Sequence, residues 1–149
     1  MTGPTAPNVL VNWGVFYDGY NPAQQMNDGE AVPFAFENVS GTAIRKATDP
    51  TIVLAPNQTY MVDYTVTGTL QQTNTDYGMA IYHNGNPLFS TASNVDTFNN
   101  TAPTEGTFTG SGIITTGGGL NTIRLQLLTT PAGRSIELDN SNMRVVKIV

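Results

Sequence analysis

The sequence predicts an all-β sandwich or barrel-like jelly roll. Three observations predict it. Short stretches alternate apolar and polar residues with period two, turn chemistry recurs about every eight to twelve residues, and no stretch carries a helical period over three turns. Roughly ten strands are expected from this spacing. The 149 residues are the size of one domain, and a domain of that size buries about 68 to 70% of its unfolded surface. Residues 1–8 read as a linker and residues 9–149 as the single domain.

The elements follow in order. "VLVNWGVFY" alternates Val9, Val11, Trp13, Val15 and Tyr17 before meeting the breaker cluster "DGYNP". "VPFAFENV" and "GTAIRK" are short, and "TIVL" ends at Ala55-Pro56. "TYMVDYTVTGTL" puts Tyr60, Val62, Tyr64 and Val66 on one face and Met61, Asp63, Thr65 and Thr67 on the other. "GMAIYH" runs into His83-Asn84-Gly85-Asn86, where Asn-Gly predicts a type I′ hairpin with positive φ at both central residues. "NVDTFNNTAPTEG" reads as a long surface loop, and "GTFTGSGIITT" as a strand ending at Gly117-Gly118-Gly119.

"LNTIRLQLL" sets Ile123, Leu125 and Leu127 against Arg124, Gln126 and Leu128. "RSIELD" reads as a separate strand before "NSN". The closing "MRVVKIV" is apolar on both faces, with Val145 and Val149 on one side and Val146 and Ile148 on the other. A strand of that kind is normally covered on both faces. The predicted core sets Tyr60, Val62, Tyr64 and Val66 against Ile123, Leu125 and Leu127 on a paired strand. Ile81, Ile113 and Ile136 are expected from the opposite sheet.

Composition narrows the function. There is no Cys, so disulfides, thiolate metal sites and cysteine nucleophiles are excluded. Only 11% of residues are charged, with 6 Lys+Arg against 11 Asp+Glu and a net charge of -5. The basic stripe that nucleic acid or an anionic membrane surface demands is missing. No apolar run has the length of a transmembrane span and no signal-peptide pattern opens the chain. Met1 reads as an initiator on an excised domain, which leaves any address signal upstream.

No residue is nominated as catalytic, cofactor-binding or metal-binding, and the chain is expected not to be an enzyme. His83 is the only histidine; a Ser/His/Asp triad would have to use it, yet it stands at the mouth of a hairpin, where histidines are ordinarily solvated. One imidazole without thiolates does not make a zinc site. Asp18, Asp28, Glu30, Asp96 and Asp139 lack the spaced pattern of a calcium loop and read as solvated turn acids. Trp13, Tyr20, Tyr77 and Tyr82 are the aromatics that would stack on sugar rings in a carbohydrate-binding module, although the phase of Trp13 with Val11 and Val15 favours core or subunit-interface packing. The sequons at Asn38, Asn57 and Asn99 mark exposed turns.

The succession "TIVLAPNQTYMVDYTVTGT", "MAIYHNGNPL", "GTFTGSGIITT…LNTIRLQLL" and "RSIELDNSNMRVVKIV" resembles the C-terminal domain of BclA-type collagen-like exosporium glycoproteins, from about Val32 to Val149. The resemblance implies a ten-stranded, tumour-necrosis-factor-like jelly roll that forms a homotrimer at the tip of a collagen-like stalk on the bacterial spore surface. Gly3-Pro4-Thr5 then reads as a stub of that stalk. Where that superfamily has Pro-Gly-x-Tyr, this chain has Pro56-Asn57-Gln58-Thr59-Tyr60, and Asn accepts the positive φ that Gly would supply. No metal is carried over.

In such domains the C-terminal strand lies near the middle of the inner sheet, whose far side meets the other subunits. The resemblance implies further that "TYMVDYTV" and "TIRLQLL" are neighbours in that sheet. The trimer contact expected from this is Met61, Asp63, Arg124, Gln126, Leu128, Val146 and Ile148, with Asp63 paired to Arg124. The leading expectation is a structural trimerisation and tip domain of a surface filament. An adhesin binding host or surface glycans, or the head of a phage fibre, is the alternative.

Overall fold

The computed structural model describes Gly3, residues 11–99 and residues 101–148. Apart from Gly3, the expected linker at 1–8 lies outside the described residues, as do Val9, the Asn100 of the third sequon and Val149. Regular structure among the described residues is strand, except for one 3-10 turn at Phe89–Thr91. The strands are β1 (Trp13–Asn27), β2 (Phe36–Ser40), β3 (Ile44–Lys46), β4 (Ile52–Leu54), β5 (Thr59–Leu70) and β6 (Asp76–His83). They continue with β7 (Asn86–Pro87), β8 (Ser93–Asp96), β9 (Thr104–Thr115), β10 (Asn121–Thr130) and β11 (Ser135–Lys147).

Two sheets stack face to face. The first has the order β2-β1-β11-β5-β9; the second has the order β3-β4-β10-β6-β7, with β8 also pairing to β6. All the pairings are antiparallel. The C-terminal strand is thus the middle of the first sheet, as the resemblance implied.

The strand count departs from the sequence reading in three places. "DGYNP" does not end β1: its pairing with β11 shifts register between Gly19 and Gln24 and then resumes, so the breakers sit in an irregularity that the strand absorbs. "RSIELD" and "MRVVKIV" form one strand, with a register shift between Leu138 and Asn140. Gly68 faces that shift, and a Cβ there would lie 2.6 Å from the Glu137 carbonyl oxygen. The expected loop at "NVDTFNNTAPTEG" is shorter, because β8 and the start of β9 take its ends.

A larger correction concerns β10. It pairs with β4 and β6, whereas β5 pairs with β11 and β9. The two strands expected to be neighbours therefore belong to opposite sheets. Their apolar faces still meet, but across the sandwich: Tyr60, Val62, Tyr64 and Val66 from one layer and Ile123, Leu125 and Leu127 from the other are all buried. Ile81 joins the core from the second sheet and Ile136 from the first.

Ile113 does not join it. It is 57% exposed, while its neighbour Ile114 is buried. The reason lies on the inward face of β9, where glycines stand at 106, 110 and 112. The Tyr64 hydroxyl crosses that space to donate between two carbonyls, those of Thr91 (2.7 Å) and Met79 (2.8 Å). A Cβ on Gly110 would collide with the Thr91 carbonyl oxygen and lie 2.7 Å from the Tyr64 hydroxyl. Glycine faces inward here so that a tyrosine from the next strand can fill the core, and the isoleucine is turned out.

The turn predictions hold. Asn84 (φ 49°) and Gly85 (φ 80°) are both left-handed, as a type I′ hairpin demands. Asn57 takes φ 55° after Pro56, the positive φ expected of it.

Candidate functional site

The outer face of the first sheet is the candidate site. On β1 the inward positions are Gly14 and Phe16, so alternation turns Trp13, Val15 and Tyr17 outward. Register then aligns them with their neighbours. Trp13 stands beside Val146, Val146 beside Met61, and Met61 beside Ile113, an apolar row across four strands. Val11, in phase with Trp13, is 57% exposed, and Ile148, in phase with Val146, is 48% exposed. At the β2 edge, the rings of Tyr17 and Phe36 stack with centroids 5.6 Å apart.

Among the described residues ten large hydrophobics are exposed, and six of them belong to this side: Val11, Tyr17, Phe36, Met61, Ile113 and Ile148. Single exposed apolar residues are ordinary, whereas a contiguous patch marks an interaction surface.

One ion pair sits beside this row. Asp63 and Arg144 are register partners on β5 and β11, flanked by Val15 and Ser111. The Arg144 guanidinium donates through Nε (3.0 Å) and approaches through Nη2 (2.9 Å), both to Oδ2 of Asp63. Farther along the same face the chemistry becomes acidic. The Asp139 carboxyl is raised above its ordinary value by desolvation first, then by the charges of Glu105 and Glu137 and a hydrogen bond with Glu105.

Four of the seven residues expected at a subunit contact come together here: Met61, Asp63, Val146 and Ile148. Arg124, Gln126 and Leu128 lie on the outer face of the second sheet, on the other side of the molecule, because β10 belongs to that sheet. The expected Asp63–Arg124 pair does not form. Arg124 donates from Nε to Thr51 Oγ1 (2.8 Å), and Asp63 is taken by Arg144. As contact residues, sequence reasoning passed over Tyr17, Phe36 and Arg144, and it assigned Ile113 to the core. The run Val11-Trp13-Val15-Tyr17 held a usable signal, since two alternating apolar residues opposite, Gly14 and Phe16, already supply the inward face.

The remaining candidates have structural partners. His83 Nε2 meets Asn121 Oδ1 at 3.2 Å. Asp28 accepts the backbone N–H groups of Thr129 (2.8 Å) and Gly133 (2.9 Å), and Glu30 accepts that of Asn27 (2.7 Å). Asp18 and Asp96 accept the N–H groups of Ala35 and Phe98 at 3.3 Å each. Tyr20 donates its hydroxyl to the Pro33 carbonyl and shares a bond with Ser141, and burial holds its pKa well above the ordinary tyrosine value. Tyr77 is fully buried and presents nothing to a ligand. Among the described residues no three His, Asp or Glu side chains are grouped to hold a metal ion.

A five-stranded sheet centred on the C-terminal strand and backed by a second antiparallel sheet is a tumour-necrosis-factor-like jelly roll. Solved structures share it. Murine APRIL superposes with a TM-score of 0.61 at 12% identity, covering 91% of this chain and 99% of that one. Eiger TNF from S. frugiperda gives 0.59 at 10% identity, with 93% and 94% covered. The PRD1 vertex protein P5 gives 0.54 at 15% identity, with 94% and 99% covered. At these identities the likeness is one of fold. No protein-family model matches the chain, and no curated protein sequence does.

Proposed function

We propose that this chain is a trimerising domain: three copies associate through the outer face of the five-stranded sheet, and the trimer caps a collagen-like filament on a spore surface. The observation that carries the reading is the apolar row Trp13, Val146, Met61 and Ile113 on that face. The C-terminal end of the central strand β11 carries apolar residues on both sides, yet in the single chain only the inward ones, Met143 and Val145, are buried, while Val146 is half-buried and Ile148, just past the strand, is exposed. A second and third copy supply the missing cover. An open assembly would leave the same face exposed at its ends, whereas a closed cyclic one leaves none.

The role is structural rather than catalytic. A collagen triple helix nucleates slowly because three chains must first align, and a globular trimer raises the effective concentration of the stalk ends.

Light scattering coupled to size exclusion tests the assembly: a trimer mass is expected at micromolar concentration, and Met61→Lys or Ile113→Lys should release monomer. A native chain that elutes as monomer overturns the proposal. The stalk is tested separately by placing Gly-Pro-Pro repeats before residue 11 and following their refolding by circular dichroism. Fast triple-helix recovery with the native domain and slow recovery with Met61→Lys is the expected pattern; equal rates would remove the filament role.

A further inference from the structure

The second sheet carries its own cleft, on the side of the molecule opposite the proposed subunit face. Its floor is low because the outward positions of β6 are small: Gly78 and Ala80, backed by Ala92. Around that floor stand Tyr82, Phe89, Pro87 and Leu128, and Phe89 is 78% exposed. The polar groups converge from the far end. Asp76 and Asn94 are joined, the amide of Asn94 donating to both carboxylate oxygens at 3.1 Å, and Gln126 and Thr130 line the wall. The Tyr82 hydroxyl and the Gln126 amide make no hydrogen bond to the described residues.

A second cleft adjoins the first across Tyr82, and the two share Tyr82 and Gln126. The cavities measure 210 and 230 Å³, each below the roughly 300 to 1,000 Å³ of a drug-sized pocket. Each takes one small ring. The second cleft contains Arg124, whose Nε is held by Thr51 and which forms no ion pair among the described residues.

We propose that these two clefts bind a glycan segment of two pyranose rings, one seated between Tyr82 and Phe89 and the next, bearing a carboxylate, beside Arg124. A pyranose has an apolar face of C–H groups and an equator of hydroxyls. The first suits an exposed aromatic ring, and the second suits a carboxylate-amide pair with a free amide beside it. The charge pattern sets the order of the rings. Asp76 repels an anion from the first cleft, while the unpaired guanidinium in the second is a bidentate partner for one.

The experiment is a titration of the isotope-labelled native chain with lactose, sialyllactose and a hyaluronan tetrasaccharide, followed by amide chemical shifts. Shifts confined to Gly78, Ala80, Tyr82, Arg124 and Gln126 are expected with at least one carboxylated sugar, and weaker ones with lactose. Tyr82→Ala should weaken binding about tenfold, equivalent to about 1.4 kcal/mol. Arg124→Gln should reduce the carboxylated sugar to the level of lactose. Gly78→Ala is the fold-preserving control: its Cβ would find only ordinary contacts, 3.5 Å from the Leu128 carbonyl oxygen, yet would raise the cleft floor and weaken binding. Absence of shifts in both clefts with all three sugars overturns the proposal, and equal binding of lactose and the acidic sugars overturns the role of Arg124. The clefts do not involve the five-stranded sheet, so either failure leaves the trimer reading untouched.

Discussion

Removing Arg144 tests the proposed interface most directly. In the single chain the pair with Asp63 is open to water, with the two side chains 56% and 34% exposed. A pair so exposed contributes about 0 to 1 kcal/mol, so Arg144→Ala should barely alter the unfolding of an isolated subunit. Assembly changes the size of the effect. If the face is covered by two further copies, Asp63 loses both its water and its ionic partner, and an uncompensated buried charge costs about 3 to 5 kcal/mol. Spread over equivalent sites in a closed trimer, that loss moves dissociation into a measurable concentration range.

Sedimentation equilibrium over a dilution series reads the effect. Arg144→Ala and Asp63→Ala should each weaken the trimer well beyond the control Asp96→Ala, and the double variant should recover part of the loss. Arg124→Ala, on the other sheet, should leave the trimer unchanged. Simple additivity of the two single effects, or single effects no larger than the control, would refute the placement of this pair inside the contact.

Other outcomes follow from the fold. Leu125, fully buried between the sheets, should cost about 2 to 5 kcal/mol when replaced by Ala, read from the denaturant midpoint. Asp28→Ala strips the acceptor from two backbone N–H groups, at Thr129 and Gly133, and should cost about 1 to 3 kcal/mol in the same assay. Asp139 has a folded-state pKa above its ordinary 3.8, so the folded chain holds its proton longer than the unfolded one and stability falls as pH rises through that window. Asp139→Asn should therefore stabilise the protein at neutral pH, and its advantage over the native chain should vanish at pH values below the ordinary carboxylate range. A constant difference across pH would show that the carboxyl is not held above its ordinary value by desolvation and by Glu105 and Glu137.

Local rules were enough for much of this molecule. Period-two alternation assigned the inward side of β5 and β10 correctly, because a strand has only two faces and a polar run such as Arg124 and Gln126 cannot be buried without partners. Asn84-Gly85 and Asn57 were legible for the same reason: positive φ is a property of a few neighbouring atoms. The strand pairing was not legible. Whether β10 hydrogen-bonds to β5 or packs across from it depends on segments far apart in the chain, and both arrangements bury the same leucines. That one decision moved Arg124, Gln126 and Leu128 from the expected subunit contact to a cleft on the opposite side, and brought Arg144 to Asp63 instead. Ile113 teaches the same point at smaller scale. Its hydrophobicity argued for the core, but the Tyr64 hydroxyl had already occupied the space inside β9, and only the tertiary structure shows that the neighbouring glycines are the residues facing in.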